Sequence, residues 1–337
     1  MSYCFNPNCN HPQNSERDRI CQSCGHSLRL QERYRVLKLI GQGGFGRTFL
    51  AVDESQPAKP RCAIKQFFPS PLSSDNREKA AELFRQEAQR LRELGRHSQI
   101  PKLWAYLEDE TGQYLVQEYI EGCNLARELE EEGAFNEEKI RQLLETLLPV
   151  LQVIHNHGII HRDLKPENII RRPSNISPPS VVSPRVGEVK NNNPSAIAPS
   201  LALVDFGAAK YTTQTTLGKT GTVIGSAAYT APEQLYGKAV FASDLYSLGL
   251  TCIHLLTLMP PFDLFDGSEN RWNWRKYAKH PISPKLGRIL DKMLHPATKQ
   301  RYQSAREVLQ DLTAPPLITK VAQSRKTWLV GGVMGGI

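Results

Sequence analysis

The sequence has few of the features that mark exported or nucleic-acid-binding proteins. Its N-terminus lacks a basic segment followed by an apolar core, so we expect no signal peptide. It also lacks a long Lys/Arg block, although the formal net charge is +8 over 337 residues. Dispersed charge of this size is typical of a solvated surface. These absences predict a cytoplasmic protein that does not bind nucleic acid.

Cysteine is scarce, and its distribution does not resemble a disulfide framework, because four of the seven cysteines lie in the first 24 residues. These four are Cys4, Cys9, Cys21 and Cys24. About 30 residues cannot build an adequate apolar core, whereas four thiolates around zinc supply tetrahedral coordination and folding free energy. We interpret residues 1–30 as a zinc-ribbon-like segment. Disulfides, a redox sensor or an iron–sulfur cluster are the alternatives, and His11 or His26 could replace one cysteine.

The most informative run is residues 161–168, HRDLKPEN. Phosphoryl transfer relies mostly on positioning and charge neutralisation, and this run supplies the required residue types. Asp163 can orient a hydroxyl and accept its proton, Lys165 can neutralise the moving phosphate, and Asn168 can hold magnesium. The run resembles the catalytic loop of eukaryotic-like protein kinases, and its KPEN ending is similar to that of the serine/threonine branch.

The other motifs of this family follow in order. Residues 41–46, GQGGFG, lie between two apolar runs, which predicts a glycine loop between two strands that covers ATP phosphates. The resemblance implies that Lys65 contacts the α- and β-phosphates and pairs with Glu87, that residues 114–122 form the hinge, and that Asp205 chelates magnesium. The nucleotide-binding residues so implied are Gly41, Gln42, Gly43, Gly44, Phe45, Gly46, Thr48, Ala63, Lys65, Glu118, Ile120 and Ile170. Gln117 would be the gatekeeper.

Further motif positions imply structural and regulatory roles. Glu233 is expected to form a buried pair with Arg301, and Asp244 is expected to brace the backbone of the catalytic loop. Phe206 is expected to pack with His161, Leu91 and Leu103. Arg162, which precedes the catalytic aspartate, suggests control by phosphorylation of the activation segment. Thr220 and Thr222 are the favoured acceptors there.

The resemblance implies an α+β, two-lobed protein kinase fold over residues 31–313. An antiparallel-sheet lobe with one helix, residues 34–119, precedes a helical lobe, residues 120–313. Residues 171–200 are rich in Pro, Ser and Asn, which predicts a disordered insertion. Residues 314–337 change from basic to apolar and resemble the start of a transmembrane helix, but they are short of the about 20 apolar residues that span a bilayer.

On these motifs the chain is identified as a member of the Hanks-type bacterial serine/threonine kinases, with a four-cysteine prefix of the cyanobacterial type. The resemblance implies transfer of the ATP γ-phosphate to Ser/Thr hydroxyls of protein substrates in bacterial signal transduction, with Mg²⁺ or Mn²⁺. It also leaves room for self-association during autophosphorylation and for membrane contact through the C-terminal tail. The alternative function is a catalytically impaired kinase-fold scaffold that binds ATP. A small-molecule phosphotransferase is disfavoured by the Ala-Pro-Glu run at 231–233.

Overall fold

The computed structural model describes residues 1–43, 46–68, 74–109, 112–173, 201–206 and 228–315. Gly44, Phe45, Thr220 and Thr222 lie outside these ranges, as do most of the insertion and of the C-terminal tail. No helix in the described ranges is long and apolar enough to cross a membrane.

The N-terminal segment is small and is joined to the sheet that follows it. Strands β1 (Ser2–Tyr3) and β2 (Gln13–Asn14) form an antiparallel hairpin. Strand β3 (Arg29–Leu30) already pairs with the first long strand of the main sheet. Phe5 is 4% exposed and lies in the same hydrophobic cluster as Tyr34 and Phe49 of that sheet. The segment therefore packs against the sheet and shares its core.

The main sheet has six antiparallel strands in the order β3-β4-β5-β6-β8-β7. Its long strands are β4 (Tyr34–Gly43), β5 (Gly46–Asp53), β6 (Arg61–Phe67), β7 (Leu103–Asp109) and β8 (Gly112–Glu118). The sequence predicts a glycine loop at residues 41–46, but the backbone pairing continues into this run as far as Gly43 with Gly46. Interstrand pairing therefore extends the hairpin beyond its apolar residues.

One long helix packs against this sheet. Helix α1 (Ser74–Leu94) buries one face, as the helical spacing of its apolar residues predicts. The buried residues of that face are Ala80, Phe84, Ala88, Leu91 and Leu94. Phe84, Ala88, Leu91 and Leu94 belong to the cluster that also contains the core of the helical lobe. Helix α1 is thus placed between the sheet and the rest of the molecule.

The C-terminal part of the described chain is mainly helical. Its helices are α2 (Leu125–Glu132), α3 (Glu137–Asn156), α4 (Pro232–Leu235), α5 (Phe241–Thr257), α6 (Pro261–Leu264), α7 (Pro284–Met293) and α8 (Ala305–Thr313). Helix α5 is buried along nearly its whole length and forms the centre of this lobe. The short strands β12 (Phe265–Asp266) and β13 (Arg271–Trp272) pair at the surface of this lobe. The predicted α+β class, with a sheet lobe before a helical lobe, is confirmed.

The catalytic run, residues 161–168, leads directly into a second small sheet. Strands β9 (Cys123–Asn124), β10 (Ile169–Arg171) and β11 (Leu201–Leu203) pair in the order β11-β10-β9. Arg171 pairs with Leu201, so the two ends of the insertion meet at the end of a hairpin. The fold therefore accommodates the extra residues without separating the motifs on either side of them.

Candidate active site

Lys65 lies where the sheet, helix α1 and the end of β11 meet. Its ammonium group makes a close ion pair with the carboxylate of Glu87 on α1, and its Nζ atom is 2.9 Å from Oδ1 of Asp205. Glu87 is 4% exposed. The contact that the sequence predicts between Lys65 and Glu87 is present. These contacts bring together three residues from distant parts of the chain.

The charge state of Lys65 follows from its two acidic neighbours. Burial alone would lower the pKa of its ammonium group, but the charges of Asp205 and Glu87 raise that pKa above its ordinary value. Lys65 therefore stays protonated at neutral pH. A buried ammonium that is held on two sides by carboxylates is a fixed positive charge, and phosphate oxygens are suitable ligands for it.

Asp163, Lys165 and Asn168 lie together in the loop before β10. The side-chain amide of Asn168 donates hydrogen bonds to the main-chain oxygen of Asp163 at 2.8 Å and to its Oδ2 atom at 2.9 Å. The Nζ atom of Lys165 is 3.3 Å from the same carboxylate. Because the nitrogen of Asn168 is used in these bonds, its Oδ1 atom is oriented as an acceptor and can face a cation.

The oxygens of Asn168 and Asp205 lie at the same end of the β10–β11 hairpin. The amide of Val204 donates to the carbonyl of Asn168 at 2.9 Å, which places Asp205 directly after this bonded pair. Asp205 has a positive φ of 66°. Amide and carboxylate oxygens suit magnesium, which is usually bound by one or two protein groups together with substrate phosphates. The two residues fit the metal role that the sequence predicts for them.

Asp244, on helix α5, holds the backbone before Asp163. Its carboxylate accepts hydrogen bonds from the amides of His161 at 2.9 Å and Arg162 at 2.8 Å. It also contacts Nε2 of His155 at 2.8 Å. The predicted bracing contact is present. The contribution of His155 was missed, because a histidine six residues before the catalytic run has no sequence signal beyond its spacing.

The same backbone is held from two other sides. The side chain of Gln234 donates to the carbonyl of Arg162 at 2.8 Å, and Arg162 has a positive φ of 68°. The ring of His161 packs on Phe206 with a centroid distance of 4.9 Å. Burial lowers the pKa of His161, so its ring is neutral at pH 7. Phe206 and Leu91 belong to one hydrophobic cluster and Leu103 packs against it, so the predicted packing of these residues with His161 is present.

Glu233 and Arg301 form the expected buried pair below this region. Two guanidinium nitrogens of Arg301 lie 2.8 and 3.2 Å from the two carboxylate oxygens of Glu233. The hydroxyl of Ser243 donates to the same carboxylate at 2.6 Å. Arg301 also lies over the ring of Tyr246, 4.3 Å from its centroid. This network ties α4 to the C-terminal end of the helical lobe.

The residues predicted to contact the nucleotide lie on neighbouring strands. Thr48 pairs with Gly41 and with Lys65, and Ala63 pairs with Gln117. Ile170 is the middle residue of β10. Gln117 is 5% exposed, and none of the described residues gives its Oε1 atom a hydrogen bond. A buried amide oxygen without a partner can accept a hydrogen bond from a ligand.

The predicted hinge is held by a backbone hydrogen bond, whereas the glycine run is held by close packing at Gly46. Glu118, at the end of β8, is held by Lys102, whose carbonyl accepts its amide at 2.8 Å. Ile120, two residues after Glu118, is buried. In the glycine run, a Cβ atom at Gly46 would lie 2.0 Å from the carbonyl oxygen of Gln66, whereas one at Gly43 would meet nothing within 4 Å. Gly46 is therefore required by the protein's own packing.

Two arginines near the catalytic run have unsatisfied nitrogens. The Nε atom of Arg162 and the Nη1 atom of Arg90 are buried and have no hydrogen-bond partner among the residues that the structure describes. Burial and the nearby charge of Arg162 both lower the pKa of Arg90. Arg90, one turn after Glu87 on α1, was not identified from the sequence. The two guanidinium groups are close enough for their charges to repel each other, and an anion is the kind of ligand that such donors can bind.

The four N-terminal cysteines form a compact cluster. Their sulfur atoms all lie within 4.8 Å of one another, and no disulfide joins them. Sγ of Cys4 is 3.6 Å from that of Cys24, and Sγ of Cys9 is 3.6 Å from that of Cys21. Zn–S bonds of about 2.3 Å in a tetrahedron require sulfur atoms about 3.8 Å apart. The geometry fits a zinc ion held by four cysteines.

Hydrogen-bond donors around the cluster favour a thiolate at Cys21, whereas burial raises the pKa of Cys4 and of Cys9. Although burial would raise the pKa of Cys21, hydrogen bonds from the amides of Cys24 and Ser23 and from the side chain of Asn14 lower it to about 6. Gly25 has a φ of +72°, which is the left-handed conformation that lets the chain turn there. His11 and His26, which the sequence offered as replacement ligands, do not belong to the cluster.

Comparison with known proteins agrees with this geometry. Residues 34–312 match the family model of the protein kinase domain. Serine/threonine-protein kinase B of Synechocystis sp. is 40% identical over 94% of this chain and 52% of its own length. Serine/threonine-protein kinase PknA of Nostoc sp. is 38% identical over 84% of this chain and 47% of its own length. The chain thus spans about half the length of these curated relatives.

A solved structure supports the fold alone. The crystal structure of Rad53 1-466 in complex with AMP-PNP aligns with a TM-score of 0.57 and 22% identity, covering 83% of this chain and 65% of that one. The predicted resemblance to Hanks-type bacterial kinases is confirmed by the family match and by the cyanobacterial relatives. The chain belongs to the protein kinase family.

Proposed function

We propose that this chain is a serine/threonine protein kinase that transfers the γ-phosphoryl group of ATP to Ser and Thr hydroxyls of proteins. One observation carries the proposal: the Lys65 ammonium contacts both Glu87 and Asp205. This arrangement fixes the phosphate-binding charge beside a candidate magnesium ligand, and phosphoryl transfer in kinases depends on both. The names of the cyanobacterial relatives support a Ser/Thr acceptor.

The proposed roles follow from the contacts. Lys65 holds the α- and β-phosphates, and Asn168 and Asp205 would hold a magnesium ion, which would supply charge neutralisation for the phosphates. Asp163 orients the acceptor hydroxyl and takes its proton as the oxygen bonds to the γ-phosphorus and ADP leaves. Lys165, 3.3 Å from Asp163, neutralises charge on the moving phosphoryl group. The protein contributes positioning and electrostatics.

The remaining nucleotide contacts are proposed on the strands described above. The hairpin of β4 and β5 covers the phosphates, with Gly41, Gln42, Gly43, Gly46 and Thr48 as its described members. Gly44 and Phe45 at its tip are proposed to take part as well. Ala63 and Ile170 enclose the adenine, and the backbone near Glu118 and Ile120 bonds its edge. We place the kinase domain at residues 31–313.

The N-terminal cysteines are proposed to bind one structural zinc ion. Four thiolates at tetrahedral spacing support this assignment. Metal analysis of the purified chain would give one zinc per chain. A Cys9→Ser and Cys24→Ser double variant would bind less than one tenth of that amount.

Arg162 and Arg90 are proposed to receive a phosphate on the activation segment, at Thr220 or Thr222. Their buried, unpartnered nitrogens support a phosphate ligand. We also propose that the chain is cytoplasmic and self-associates for autophosphorylation. Residues 314–337 are proposed to contact a membrane. The basic-to-apolar change along residues 325–337 supports the last of these.

Incubation with radiolabelled ATP and Mg²⁺ tests the proposed reaction. We expect label on Ser/Thr of the wild-type chain and of a protein acceptor, and a loss of about 100- to 10,000-fold in Asp163→Asn. Asp163→Asn should retain nucleotide affinity, because Asn keeps the shape of the side chain. Nucleotide binding by wild type without any transfer would replace the proposal with the scaffold function.

A further inference from the structure

Arg47 occupies an unusual position directly after the glycine run, at the start of β5. Its half-buried side chain points away from the hairpin and toward the N-terminal segment. One guanidinium nitrogen, Nη2, donates to the main-chain carbonyl of Phe5 at 2.6 Å and to Oε1 of Gln66 at 2.7 Å. The guanidinium also lies 5.3 Å from the ring centroid of Phe49. Arg47 therefore joins the nucleotide-covering hairpin to the residue that follows Cys4.

The contacts of Arg47 continue into a closed network. The side-chain amide of Gln66 donates to the hydroxyl of Tyr114 at 3.3 Å, and the ring of Tyr114 meets the ring of Phe5 edge-on, 6.0 Å between centroids. Gln66 is 3% exposed and is the neighbour of Lys65 on β6. The network thus links the cysteine segment to two strands, one that carries the glycine hairpin and one that carries Lys65.

Phe5 is held on its other side by the cysteine segment itself. It follows Cys4, and its ring packs against His26, 4.7 Å between centroids, two residues after Cys24. The cysteine segment has too little apolar core of its own to fold independently, and its proposed zinc ion would supply the missing cross-links between its two halves. The carbonyl of Phe5 is therefore fixed in front of Arg47 only while the cysteine segment is folded.

We propose that Arg47 is a positioning residue that couples metal binding by the cysteine segment to nucleotide binding under the β4–β5 hairpin. The inference rests on the proposed zinc and nucleotide sites. When the segment unfolds, Arg47 loses its acceptor on Phe5, and the hairpin loses a contact that holds it. Coupling between two binding equilibria is reciprocal, so bound nucleotide must strengthen metal binding by the same factor.

A second arginine supplies the matched control. Arg35, on β4, also contacts the cysteine segment: its Nη1 atom donates to Oγ of Ser2 at 2.9 Å and to the carbonyl of Asp18 at 3.0 Å. Arg35 pairs with Val52, near the end of the hairpin that is remote from the glycine run. A variant at Arg35 alters a different contact with the segment and does not remove the contact between Arg47 and the carbonyl of Phe5.

The experiment measures both affinities in the full chain. Calorimetry gives the affinity for Mg·ADP in zinc-loaded and zinc-stripped protein, and competition with a zinc-selective chromophoric chelator gives zinc affinity with and without Mg·ADP. For wild type and Arg35→Lys we expect about a five- to tenfold effect in each direction. For Arg47→Met, which keeps the apolar stem, we expect a factor near one, with about one zinc still bound per chain. Arg47→Lys should recover part of the coupling.

Gln66→Met is the second variant, and it should also reduce the coupling, because it removes the other acceptor of Arg47. Equal coupling in wild type and Arg47→Met would overturn the role of Arg47. Bound zinc without any coupling in wild type would overturn the proposal while leaving the zinc and nucleotide sites intact. A chain that binds no zinc, or no Mg·ADP, would overturn the underlying site as well, and the two stoichiometries identify which one.

Discussion

Asp163 and Lys65 lie on the two sides of the candidate site, and they are held by different kinds of contact. The backbone before Asp163 is bonded to Asp244 of a helix that is buried along nearly its whole length. Lys65 is held by two carboxylates, and one of them, on Asp205, is 45% exposed. The loop that carries Asp163 is thus anchored in the core of the helical lobe, whereas Lys65, the proposed phosphate-binding residue, depends on ion pairs that a ligand can rearrange.

This difference predicts that substitutions on the two sides have different effects. On the helical side, loss of a contact should destabilise the fold. On the sheet side, loss of a contact should reduce activity and leave the fold intact. The first prediction concerns the buried contact with the largest expected effect.

Asp244→Asn should lower the free energy of unfolding by about 3 kcal/mol. The amide can accept only part of the three hydrogen bonds, and buried donors without partners cost about 1–3 kcal/mol each. Urea unfolding measures the change. Asp263→Asn, an exposed carboxylate on α6, is the control and should change stability by less than about 0.5 kcal/mol. Equal effects of the two substitutions would contradict the bracing role.

Glu87→Gln should reduce kcat/KM by about 10- to 100-fold, which corresponds to the loss of one charged hydrogen bond of about 1.5–3 kcal/mol. Lys65 keeps its contact with Asp205, so the ammonium would be drawn toward the proposed magnesium ligand. Stability should change by less than about 1 kcal/mol. Steady-state kinetics and urea unfolding of the same preparation test both parts, and a variant that loses stability but keeps its activity would reverse the comparison.

The glycine run allows a sharper test within the sheet lobe. Gly46→Ala should destabilise the fold by about 1–3 kcal/mol, because its Cβ would lie 2.0 Å from the carbonyl oxygen of Gln66 and the strands must separate. Gly43→Ala meets nothing within 4 Å and should change stability by less than about 0.5 kcal/mol. Thermal unfolding of the two variants distinguishes a glycine required by packing from one available for ligand approach.

The sequence predicted those contacts best in which both partners belong to motifs of the family. The contacts Lys65–Glu87 and Glu233–Arg301 could be anticipated because the family motif fixes both partners. The hydrogen bond from Arg47 to the carbonyl of Phe5 could not be anticipated. Every residue has a main-chain carbonyl, so the sequence does not mark this acceptor, and the contact depends on how the cysteine segment packs against the sheet. His155 was missed for a related reason. From the sequence, a single histidine at a helix end is interpreted as a core residue, and only the structure shows its contact with the Asp244 carboxylate.

The last prediction concerns the pH dependence of the Glu233–Arg301 pair. Burial alone would raise the pKa of Glu233, but hydrogen bonds from Arg301 and Ser243 lower it below its ordinary value of 4.5. A lowered pKa means that the folded state favours the charged carboxylate. The stabilisation is therefore fully present above pH 4.5 and is lost as the pH falls through the lower folded-state pKa.

Glu233→Gln should accordingly cost about 2 kcal/mol at pH 7, the size of a charged hydrogen bond in a partly buried site. The difference between wild type and variant should shrink as the pH falls below 4.5. Urea unfolding at a series of pH values measures it. Glu269→Gln removes an exposed partner of Arg271 and should show almost no difference at any pH. A difference at Glu233 that stays constant down to pH 3 would mean that packing, and not the ionised carboxylate, joins α4 to the helical lobe.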